Sequence, residues 1–77
     1  MPAAPPPEWI VDRRRAIGER IRESRRHANL TQEAVANRIG IDRPSIIEIE
    51  QGQRNMTIDT FIRIADAIGV PLTDLVR

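Results

Sequence analysis

All twelve basic side chains in these 77 residues are arginine, and none is lysine. A guanidinium offers forked donors that match a phosphate or the edge of a guanine. A GC-biased gene would give the same usage, and that is the simpler reading of the missing lysine. Catalytic groups are scarce by comparison. There is no cysteine, one histidine (His27) and two serines (Ser24 and Ser45), from which no nucleophile–base–orienter set can be assembled. His27 has no cysteine or second histidine with which to hold a metal. Asp12, Glu19 and Glu23 lie among arginines and read as a salt-bridged solvated face rather than an acid/base pair. The sequence therefore predicts no enzyme, no cofactor, no metal site and no small-molecule ligand, because so small a core leaves no room for a ligand pocket.

The formal net charge is +1, but it is unevenly spread: residues 1–43 sum to +3 and residues 44–77 to −2. No run is apolar enough to span a bilayer, and the start does not resemble a signal peptide. A soluble cytoplasmic protein with no membrane partner is the expectation.

Groups of this kind must be positioned by helices. MPAAPPPE (1–8) is suited to a flexible, Pro-rich, polyproline-like tail, leaving 9–77 as one domain. A first helix is expected over Val11–Ala28 with Ile17, Ile21 and Ala28 on one stripe, Trp9 anchoring the tail to the core, and Asn29 in a left-handed cap position. Thr31, Asp42 and Thr57 are each placed to cap a helix N-terminus. Each follows an apolar residue (Leu30, Ile41, Met56) and precedes another four positions on (Val35, Ile46, Phe61), the spacing of a hydrophobic staple. Gly40, Gly52 and Gly69 mark the ends, Pro71 blocks continuation, and a short fifth helix over Leu72–Val76 is weakly signalled. No stretch reads as a strand. The expected fold is all-α, a four- to five-helix bundle with a core of Ile17, Ile21, Leu30, Val35, Ala36, Ile39, Ile41, Ile46, Ile49, Phe61, Ile64, Ala65, Ile68 and Leu72. Ala36 fits either a tight helix crossing or ordinary helix propensity.

Within this pattern, TQEAVANRIGIDRPSIIEIEQG (31–52) is two short helices joined by a Gly-containing turn. That is the layout of a helix-turn-helix, whose second helix enters the DNA major groove. If Ile46 and Ile49 face inward, then Arg43, Pro44, Ile47, Glu48 and Gln51 lie on the outer faces.

The stretches IGERIRESRRHANLTQEAVANRIGIDRPSIIEIEQGQRN and TIDTFIRIADAIGVPLTDL resemble the phage repressor/Cro (XRE-type) helix-turn-helix family. The resemblance covers residues 16–76, roughly four-fifths of the chain. It implies a lambda-repressor-like domain that binds duplex DNA in a sequence-specific manner, usually as a two-fold dimer on a pseudo-palindrome, to regulate transcription. IDRPSIIEIEQGQRNMTI is similar to the recognition helix and following loop of restriction–modification control proteins. In those, an arginine at the helix start and an Arg-Asn loop pair contact DNA.

Base reading is thereby implied for Arg43, Pro44, Ile47 and Glu48. Arg43 is suited to guanine, Ile47 to a thymine methyl and Glu48 to the cytosine amino group. The alternatives are a phosphate contact or solvated charge for Arg43, an ordinary exposed apolar residue for Ile47, and a solvated or Arg-paired role for Glu48. Pro44 departs from the commoner polar residue, removes a donor and restricts Arg43. Phosphate contact is implied for Gln32, Ser45, Arg54 and Asn55; plain turn chemistry is the alternative for the loop pair, and satisfying an amide at the helix start for Ser45. Arg25 and Glu50 match positions that form a buried ion pair in relatives, against a reading as independent surface charges. A homodimer is expected to form through Val70, Leu72, Leu75 and Val76, unless these only close the core. A competing function on the same fold is a protein-interaction module, favoured by Pro44, Glu48 and the near-neutral charge.

Overall fold

The computed structural model describes residues 4–77. Five helices follow one another: α1 (Glu8–His27), α2 (Gln32–Ile39), α3 (Arg43–Glu50), α4 (Ile58–Ile68) and α5 (Thr73–Val76), with no strand among the described residues. The expected all-α architecture is what the chain adopts. α2 contacts both α3 and α4, while the long α1 crosses α3, α4 and α5.

Side-chain caps set where the middle helices start. Thr31 accepts from the Ala34 amide at 3.0 Å, Asp42 from Ser45 at 2.8 Å and Thr57 from Thr60 at 3.2 Å. Each satisfies an amide that has no partner inside its own helix. The staple residues on both sides of these caps all belong to the core or pack against it. α2 and α4 end on glycines with positive φ, and Asn29 takes the left-handed conformation (φ 59°) that turns the chain from α1 towards α2. Pro44 sits in the first turn of α3, where a missing amide proton costs little.

The buried centre is Ile21, Val35, Ala36, Ile46, Ile49, Ile64, Ala65, Ile68 and Leu75, with Ile17, Leu30, Ile39, Ile41, Phe61 and Leu72 packed around it. Four expectations need correction. α1 begins at Glu8, three residues earlier than Val11, because Pro7 holds an extended conformation and its carbonyl accepts from Ile10 and Val11. Trp9 is 67% exposed, so it does not anchor the preceding segment, of which residues 1–3 lie outside the described region. Ala28 caps the end of α1 and is exposed rather than on the buried stripe. Leu75 is wholly buried within the monomer, since α5 folds back on α1, and it is not available to a second copy.

One glycine fixes the α1–α3 crossing. A Cβ on Gly18 would lie 2.5 Å from the Glu50 carbonyl oxygen and 2.6 Å from that of Ile49. Only hydrogen at this position lets α1 approach the C-terminal end of α3 so closely.

Candidate nucleic-acid interface

The site is built outward from a buried charge pair. Arg25 on α1 makes a fork to Glu50 on α3, Nε to Oε2 at 2.6 Å and Nη2 to Oε1 at 3.1 Å. Its remaining nitrogen, Nη1, donates to the Leu30 carbonyl at 2.8 Å. Both side chains are almost fully withdrawn from solvent, and every buried side-chain polar atom among the described residues has a partner. The two charges are thus one structural unit. Their geometry explains why arginine is used: lysine offers no planar fork.

From this unit a line of hydrogen bonds runs to the surface. Gln32, first residue of α2, donates Nε2 to Glu50 Oε1 at 3.2 Å. Its own Oε1 accepts a weak, 3.4 Å bond from Nε of Arg43, the first residue of α3. The amide of Gln32 is therefore oriented from below, and it in turn presents the exposed Arg43 guanidinium. Ile47, one turn along α3, is half-buried beside it. Arg43, Gln32, Ile47 and Gln51 line an open groove of about 630 Å³ whose far wall is the last turns of α1.

The other side of α3 is tied to the loop that follows it. Arg54 donates to the Ser45 hydroxyl and lies 3.9 Å from the Glu48 carboxylate. Glu48 is exposed but faces its own loop through Arg54, and Asn55 next to it is exposed. The Asp42 carboxyl is held below its ordinary value by hydrogen bonds from the side chain and amide of Ser45, against desolvation and with the smallest contribution from the Arg54 charge. Pro44 is exposed at the tip and offers neither donor nor charge.

The structure thus brings Gln32, Arg43 and Ile47 to one surface, and Ser45, Glu48, Arg54 and Asn55 to an adjoining one. The residues named for self-association lie elsewhere: Val76 is exposed, Val70 and Leu72 are half-buried, and Leu75 is in the core. Sequence reading overlooked Arg22 and Arg26, which stand on the groove wall. They fall three residues before and one after Arg25, so fixing Arg25 against Glu50 would have located them. Ile58 and Ile62, 63% and 51% exposed one turn apart on α4, were also overlooked as surface apolar residues.

Comparison with known proteins agrees with this geometry. The family model described as a helix-turn-helix domain matches residues 18–77. An uncharacterised helix-turn-helix-type transcriptional regulator of Sinorhizobium fredii is 36% identical over 66 residues, covering 86% of each chain. The control protein C.BamHI of Bacillus amyloliquefaciens is 35% identical over 60 residues, covering 77% of this chain and 74% of its own. Among solved structures, the restriction-modification controller protein C.AhdI of Aeromonas hydrophila superposes with a TM-score of 0.76 at 33% identity, over 83% of this chain and 96% of that one. A chain with this match, this fold and this outward-facing α3 belongs to the XRE-type helix-turn-helix family of DNA-binding transcriptional regulators. That is a family of regulators rather than enzymes. No helix among the described residues is long and apolar enough to cross a membrane.

Proposed function

We propose that the chain is a sequence-specific reader of duplex DNA, acting as a homodimer on a pseudo-palindromic operator with α3 in the major groove. The observation that carries this is the line from the buried Arg25–Glu50 pair through Gln32 to Arg43: the fold spends a satisfied polar network on aiming one exposed guanidinium. Arg43 is then the guanine reader and Ile47 the contact to a thymine methyl. Glu48, whose carboxylate lies 3.9 Å from Arg54, reads a cytosine amino group, and Pro44 contributes shape alone. Gln32, Ser45, Arg54 and Asn55 hold backbone phosphates and so fix the register. Two-fold pairing uses Val76 with the outer parts of Val70 and Leu72. Such a pair sets two α3 helices roughly 34 Å apart, one turn of DNA. Likeness to control proteins supports transcription control as the outcome, at the DNA in the cytoplasm.

A random-sequence duplex library selected on the protein at two salt concentrations tests the reading. It predicts an enriched palindromic motif at both. Weak retention that merely falls with salt, with no motif, would contradict it and favour a protein partner.

A further inference from the structure

We infer that α1 is itself a DNA-contacting element, with Arg26 and Arg22 gripping backbone phosphates beside the groove that α3 enters. The inference rests on the proposed DNA reading and adds residues from outside the helix-turn-helix to it. Four arginines line the open groove between α1 and the starts of α2 and α3: Arg22, Arg25, Arg26 and Arg43. The lining acids are Glu50 and Glu33, and Glu50 is consumed by Arg25. The groove therefore holds an excess of two positive charges in a chain whose total is +1.

The geometry separates the roles. Arg25 points inward and is spent on Glu50 and the Leu30 carbonyl, while Arg22 and Arg26, four residues apart on the same helical stripe, flank it towards solvent. Arg26 is exposed and makes no ion pair among the described residues, and Arg22 reaches Glu19 only at 3.9 Å, at the surface. Arginines on surface helices are ordinary when paired along their own helix. Here they border the same concavity as Gln32 and Arg43, beside the first turn of α2, whose free amides favour an anion. A phosphate in this concavity meets donors from three helices. Guanidinium groups at its wall contribute affinity without reading bases.

The test is the salt dependence of binding to a duplex selected by the wild-type protein, for Arg26→Ala, Arg22→Ala, the double variant and Arg63→Ala. Arg63 is an exposed arginine on α4 beside a separate concavity, and serves as the charge control. The slope of log K against log salt should become shallower by about 0.9 for each phosphate no longer held, twice that in a two-fold complex. The ranking of operator variants should stay unchanged, and Arg63→Ala should leave the slope as it is. An unchanged slope in the double variant would overturn the inference, as would an equal loss with Arg63→Ala or a changed sequence preference. If the wild-type protein shows no salt-dependent duplex binding at all, the DNA reading itself falls and the inference falls with it.

Discussion

At the scale of single residues, the most consequential contact is the buried one between Arg25 and Glu50. Arg25 and Glu50 have side chains only 9% and 3% exposed, so each depends on the other for its charge to be tolerated. Removing one partner, as in Arg25→Met or Glu50→Leu, should cost about 3–5 kcal/mol in chemical denaturation, whereas replacing both together should recover much of the loss. An additive double variant would show that the two charges do not act as a pair. Asp42 offers a titration that can be read. Its folded carboxyl titrates below the ordinary 3.8 because Ser45 donates to the ionised form. The cap therefore contributes fully above the unfolded value, and the contribution is lost as pH falls through the lower, folded one. Asp42→Asn keeps an acceptor for the Ser45 amide but cannot ionise. Its stability should lose that part of the acid dependence, seen as a flatter profile below about pH 4. An unaltered profile would place the acid sensitivity in other carboxylates.

At the scale of elements, caps and crossings decide the architecture, and they differ in how legible they are. Thr31, Asp42 and Thr57 act where the sequence placed them, because a cap is a local device written within four residues. The α1–α3 crossing is not local. Gly18 looks like any glycine inside a helical pattern, and only the approach of the Glu50 and Ile49 carbonyls gives it a reason. Gly18→Ala should therefore destabilise by about 1–3 kcal/mol through overpacking, against the gain of about 1 kcal/mol that alanine brings to an open helix site. A stabilised variant in thermal unfolding would mean that the two helices do not cross this closely. The same distinction explains the remaining misses. Leu75 and Val76 are equivalent as apolar letters, and which one turns inward depends on how α5 returns to α1. Trp9 is large and apolar, yet it stands exposed in the first turn of α1, and apolar character alone does not say which face of a helix a residue takes.

At the scale of the whole molecule, the small net charge conceals a divided surface. Four arginines and two glutamates line the groove between α1 and the starts of α2 and α3, so a near-neutral protein still presents a locally basic concavity. The candidate site was half legible. Gln32, Arg43 and the Arg25–Glu50 pair follow from matching positions in a familiar motif, and the structure adds the hydrogen bonds that connect them. Arg22 and Arg26 could be placed only through Arg25, since arginines among acids on a helix look alike in sequence until one of them is fixed against Glu50. The proposed function turns on Arg43 reading a base rather than merely adding charge. The decisive experiment selects duplexes in parallel with the wild-type protein and with Arg43→Ala, then compares preference position by position. If Arg43 reads guanine, one symmetry-related pair of positions, guanine in the wild-type motif, loses its preference by the roughly 1–3 kcal/mol worth of a bidentate contact, while the other positions keep theirs. A motif unchanged in every position, with affinity lowered uniformly, would show that Arg43 holds only phosphate and that α3 does not read DNA as described.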